Sequence, residues 1–133
     1  MKKFLPVILL GILLVFTACG SGSSEKADKD TQTVIDNIIE FNTNIDNKSL
    51  EEGQKPYKYT EKDFSFLIYK DKDTKRYIVD SWVPVEGESN SLESFYKVDE
   101  DKKFNSVFDE YDFKDEKASG NYELVYKSGK FKE

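Results

Sequence analysis

Three rhythms of hydrophobic and polar residues succeed one another along this chain of 133 residues. The first is an unbroken apolar run from Phe4 to Phe16, led in by Lys2 and Lys3 and followed by Thr17-Ala18-Cys19. The second has a helical period: Val34, Ile38, Phe41 and Ile45 recur at four, three and four, and Ile35 and Ile39 widen the stripe. It predicts an amphipathic helix from Thr31 to about Asn47, capped by Asp30 or Thr31, with Asp36 and Glu40 on its polar side. So many β-branched residues make a poor isolated helix, so the stripe is expected to form against a sheet.

The third rhythm alternates. Asp63 to Lys70 sets Phe64, Phe66 and Ile68 on one face of a strand, the run 71–75 is a turn, and Arg76 to Val83 makes the second arm of a hairpin. Pro84 is expected to close that strand and Glu86 to Ser91 to form a loop. Leu92–Val98 and Lys103–Val107 predict a second hairpin around Asp99-Glu100-Asp101-Lys102, and Asn121–Lys127 a last strand. Phe108 to Ser119 reads as an irregular loop or a short helical turn. The expected fold class is α+β: one N-terminal amphipathic helix on a curved antiparallel sheet of four or five strands.

The opening run has the charged, apolar and small-residue zones of a secretory signal peptide. At 13 residues it is shorter than the roughly 20 a membrane-spanning helix needs, and Pro6 and Gly11 weaken it as a helix. A retained N-terminal anchor and an ordinary cleaved peptide are the competing readings. The stretch resembles the lipobox of bacterial lipoproteins, in which the cysteine is acylated and becomes the first mature residue. On that resemblance Phe16, Thr17 and Ala18 are the signal-peptidase recognition residues and Cys19 the lipidation site. Phe16 stands where the pattern prefers Leu. Two acyl chains hold a protein stably on a bilayer where one does not. The expected organisation is therefore residues 1–18 as signal peptide, 19–30 as a lipidated tether and 31–133 as one domain. That domain would sit on the extracytoplasmic face of the cell membrane, with the bilayer as its first partner. Gly20–Asp30 is small and polar, and as a random coil it spans on the order of 18 Å.

Charge narrows the partners. The full chain carries a formal charge of −6, and without Lys2 and Lys3 it has 18 basic residues against 26 acidic ones. That balance argues against nucleic acid and against a second, electrostatic hold on an anionic membrane. Histidine is absent, which removes the usual general base and the commonest metal ligand. Cys19 is the only cysteine, so the domain has no disulfide to lean on.

No catalytic motif is legible, and no cofactor, metal or catalytic residue is expected. The carboxylates of Asp71/Asp73 and Asp99/Glu100/Asp101 lie in turns where Asp is favoured, without calcium-loop spacing. The run Asp109–Glu116 is the least improbable weak cation site. Among 26 acidic residues pairs arise by chance, so no hydrolytic pair stands out. The aromatics are better candidates, as core residues or as docking anchors. On the second strand Tyr77, Val79, Ser81 and Val83 share one face and Ile78, Asp80 and Trp82 the other. Asp80 marks that second face as the more solvated, which makes Trp82 and Asp80 candidate partner-binding residues. Tyr57 and Tyr59 are weaker candidates of the same kind.

The lipobox, the single helix, the strand pair FLIYK…RYIVDSW and the FYKVDEDKKF hairpin together resemble the small cystatin-like-fold lipoproteins of Gram-positive bacteria. The resemblance implies a cystatin-like cone and a non-enzymatic interaction module meeting another envelope or membrane protein. Some members are encoded on conjugative elements and act in exclusion of redundant transfer. The glycine- and Q-x-V-x-G-containing loops of inhibitory cystatins are missing, so protease inhibition does not carry over. The alternative is a cell-envelope binder that takes a small apolar ligand in the hollow between helix and sheet.

Overall fold

The structure, a computed structural model, describes residues 26–132. The signal-peptide and lipidation residues, Phe16, Thr17, Ala18 and Cys19, lie outside the described residues. Helix α1 (Lys29–Lys48) is followed by a single 3-10 turn (Glu61–Asp63) and then by strands β1 (Ser65–Asp71), β2 (Tyr77–Val85), β3 (Glu88–Val98) and β4 (Phe104–Phe108). Helix α2 (Glu110–Ser119), strand β5 (Tyr122–Lys127) and a C-terminal 3-10 turn (Gly129–Lys132) complete the domain. All five strands form one antiparallel sheet in the order β4-β3-β2-β1-β5, so the protein is α+β. Among the described residues no helix is long and apolar enough to cross a membrane.

Helix α1 begins two residues before the expected start. Asp28, rather than Asp30 or Thr31, is the cap: its Oδ1 accepts the amide of Thr31 at 2.7 Å. The helix therefore already contains Lys29 and Asp30, assigned above to the tether. Its stripe is buried as the period requires. Val34, Ile35 and Ile38 are at most 1 % exposed and join Phe66, Ile68, Val79, Val83, Tyr96 and Val98 in one core cluster. Each such side chain contributes about 1.5–3 kcal/mol by leaving water. Ile45, expected on the same stripe, is 44 % exposed, in the last turns of the helix at a groove between it and the β2–β3 hairpin.

Register sorts the sheet into two faces. On the inner face, against α1, Ile68 stands opposite Val79, and Val79 opposite Tyr96. On the outer face Leu67 and Phe95 flank Asp80, while Ser65 and Glu93 flank Trp82. The face assignment made from the alternation of β2 therefore holds.

Three expectations about elements need correction. Pro84 does not end β2, which runs to Val85. The register shifts between Val83 and Val85, so the proline occupies an irregularity where the ladder does not require its missing N–H. Glu86–Ser91 is not a loop. Glu86 and Gly87 make a tight two-residue turn, both with positive φ (47° and 89°), and β3 starts at once with Glu88 opposite Val85. Residues 110–119 form a full α-helix. Asp109 caps it by accepting the amide of Asp112 at 2.8 Å, and Gly120 ends it.

The reason for α2 is topological. The chain must pass from β4 on one edge to β5 on the other, about 19 Å across four strand spacings. Ten helical residues cover about 15 Å of that path over the outer face. A single buried side chain, Phe113, fastens the helix there, packed against Tyr69, Phe95 and Phe108 at 6.1, 5.4 and 6.4 Å between ring centroids.

Candidate functional site

Helix α2 covers only part of the outer face. Ile78 is buried beneath that layer, while farther along β2 Asp80 and Trp82 stay partly accessible. On this uncovered portion the structure brings together Asp80, Trp82 and Glu93, with Glu110 arriving from the first turn of α2. The two outer-face candidates read from the sequence therefore lie in one place.

Asp80 is electrostatically the least comfortable residue in the domain. Its Oδ1 is shut off from solvent and has no hydrogen-bond partner among the described residues. Burial pushes its pKa up to about 8, and three further effects act in the same direction: a hydrogen bond with the Glu93 side chain, the charge of Glu93, and that of Glu110. Asp80 and Glu93 are diagonal neighbours on adjacent strands, within reach of long side chains. A second negative charge so close disfavours the ionised form of Asp80, which reinforces the effect of burial.

Trp82 is positioned from the other end of the chain. Gly129 adopts φ +58°, and a Cβ there would meet Ser65 Oγ at 2.2 Å, so only glycine lets the tail lie this close. Ser65, fully buried, accepts the Lys130 amide at 2.9 Å and donates to Asn90 Oδ1 at 2.6 Å. Thus pinned, Lys130 places its ammonium 3.9 Å from the centroid of the Trp82 ring and donates to Asn90 O. A cation on an indole face is a favourable pairing of about 0.5–1 kcal/mol where solvent is present. The tryptophan is not the bare anchor expected from alternation: the protein's own lysine covers it.

Tyr57 and Tyr59 belong elsewhere. They stack at 5.6 Å beside the end of α1, and Tyr59 packs edge-on against Phe64 of the core. Tyr59 donates to Asp46 and accepts the Gly87 amide at 2.9 Å, while Asn47 holds the Tyr57 backbone from both its side-chain atoms. Burial, followed by the Asp46 hydrogen bond, pushes the Tyr59 hydroxyl up to about 12. The pair clasps the β2–β3 turn to the helix and does not share a surface with Trp82.

The acidic run is likewise engaged. Asp109 caps α2, Glu110 pairs with Lys114 at 3.3 Å, and Glu116 meets Lys97 at 3.1 Å and Tyr122 Oη at 2.8 Å. Burial alone would raise Glu116, but the hydrogen bonds from Tyr122 and Lys97 and the lysine charge bring it below the usual range. Among the described residues, no group of three or more carboxylates is arranged to hold a metal ion.

Two grooves flank β3 near its middle. On the outer side, one of about 340 Å³ is lined by Glu93, Phe95, Phe108, Asp109 and Glu110. On the inner side, one of about 300 Å³ lies between α1 and the hairpin, lined by Phe41, Ile45, Val83, Pro84, Leu92 and Tyr96. Among the described residues, two of the three exposed large hydrophobic side chains, Ile45 and Leu92, sit on this second groove. Glu93 and the grooves escaped sequence reasoning. Glu93 is exposed and marked by no motif, and only the register sets it beside Asp80 and Trp82.

No protein-family model, curated protein or solved structure matches the chain.

Proposed function

We propose that the protein is a lipid-anchored, extracytoplasmic interaction module that binds another protein of the cell envelope and catalyses no reaction. The observation that carries the reading is the partly covered outer sheet face, where a cation-bearing tryptophan adjoins a carboxyl pair with one unsatisfied oxygen. Tryptophan and tyrosine are enriched in binding hot spots. A hydrogen-bonded carboxyl pair also suits proton transfer. Here it lies at the margin of an open sheet face beside Trp82, and a docking role uses both features.

The anchor rests on the MKKFLPVILLGILLVFTAC stretch and the single cysteine. A cystatin-like cone is supported by one long helix laid on the inner face of an antiparallel sheet, with α2 as an addition on the outer face. By its resemblance the protein acts in exclusion on a conjugative element. Deleting the gene should then raise acquisition of the cognate element, and an unchanged transfer frequency sinks that role. Trp82→Ala in the same assay asks whether the outer face is the contact. A second reading, a small apolar ligand held between helix and sheet, draws on the inner groove with Ile45 and Leu92 at its rim.

A further inference from the structure

Strand β3 has 11 residues, but β4 pairs only with its last part, from Phe95 to Val98. Among the described residues no strand lies on that side of Glu88–Ser94. The hairpin therefore carries an open edge, and backbone groups on such an edge are a template for another extended chain. The irregularity at Asn90 (φ 53°) leaves Ser91–Ser94 as the regular stretch.

The two sides of this edge differ chemically. Leu92 faces the inner groove with Ile45, Val83 and Pro84. Glu93 faces the outer groove with Asp109 and Glu110, and stands across the sheet from Trp82. A strand added here would direct its side chains alternately to the two sides, with a period of two. Resting on the docking reading above, we infer that the open edge of β3 receives an extended partner segment of alternating apolar and basic residues. The apolar side chains enter the groove beside Leu92, and the basic ones meet Glu93 and Glu110. Charge complementarity selects the basic partner: among the described residues exposed Glu93 makes no ion pair, and Glu110, shared with Lys114, and the cap Asp109 border the same groove.

The test uses the full chain in phosphatidylcholine vesicles, whose zwitterionic surface does not attract a cationic peptide. Three acetylated octapeptides are compared: alternating Lys-Val, the same residues as a lysine block and a valine block, and the alternating peptide with every second backbone nitrogen methylated. Trp82, the only tryptophan, reports binding by fluorescence, and hydrogen exchange reports protection of Glu88–Ser94. The alternating peptide should change Trp82 emission saturably and slow exchange in 88–94. The other two peptides should bind at least about tenfold more weakly, a difference of about 1.4 kcal/mol. Leu92→Lys and Glu93→Lys, both exposed positions, should each weaken binding by a similar factor. Equal binding of the methylated peptide without added protection overturns strand addition and leaves the docking face standing. If no peptide alters Trp82 emission and Trp82→Ala leaves transfer unchanged, both readings fall.

Discussion

Replacing Asp80 by Asn keeps the shape and removes the ionisable group. In the folded protein the Asp80 pKa rises from an ordinary 3.8 to about 8, chiefly through burial and secondarily through Glu93. The unfolded chain then releases its proton near pH 4 while the folded protein keeps it. Stability present at low pH is thus lost progressively as pH rises from about 4 through about 8. A shift of about four units corresponds to roughly 5–6 kcal/mol if converted in full at 1.36 kcal/mol per unit. The site is partly solvated, so the recoverable part is about 1–3 kcal/mol. Urea unfolding at pH 3, 6 and 8.5 measures it. Asp80→Asn should match the parent at pH 3, below the ordinary carboxyl value of 3.8, and exceed it by that amount at pH 8.5. Glu93→Gln should recover less than half, because burial, the larger cause, persists. A gap between parent and Asp80→Asn that is constant with pH, or that widens toward acid, refutes the reasoning.

Other outcomes follow from particular contacts. Phe113→Ala removes the one buried side chain of α2 and should cost about 3–4 kcal/mol, read as a lower urea midpoint together with faster hydrogen exchange in 110–119. Gly129→Ala forces a Cβ into Ser65 and should lift Lys130 from Trp82, seen as a change in tryptophan emission without loss of global secondary structure by circular dichroism. Thr31→Val replaces a fully buried hydroxyl whose Oγ1 has no hydrogen-bond partner among the described residues, and should leave stability unchanged or raise it by up to about 1 kcal/mol in thermal unfolding. Cys19→Ser should abolish incorporation of labelled fatty acid and release the protein from the membrane fraction; retention there with no label would support an uncleaved anchor instead.

Much of the fold was legible because amphipathic period is a local property. The stripe from Val34 to Ile38, the alternation through Phe66 and Ile68, and the two faces of β2 all follow from which side chains must leave water. The expectation of four or five antiparallel strands was met at five. What failed locally failed for physical reasons. Helix α2 has one buried residue, so no apolar stripe announces it; its cap, its ion pairs and the need to cross the sheet form it instead. The Glu86-Gly87 turn depends on positive φ at a residue with no obvious preference for it, so a two-residue hairpin passed as a loop. Pro84 was read by its missing donor, but the bulge beside it makes that donor unnecessary.

At the site, the sequence by itself determined that Asp80 and Trp82 share a face, because successive residues of a strand must alternate. It also set a formal charge of −6 and a single cysteine at position 19. Only the tertiary structure decided that Glu93 joins Asp80, that Lys130 caps Trp82, and that Tyr57 and Tyr59 clasp the β2–β3 turn to α1. These depend on strand register and chain crossing, which bring together residues 10 to 48 positions apart. Solvation is set in the same way. A carboxylate's environment depends on every element packed around it, and local sequence carries no record of that packing.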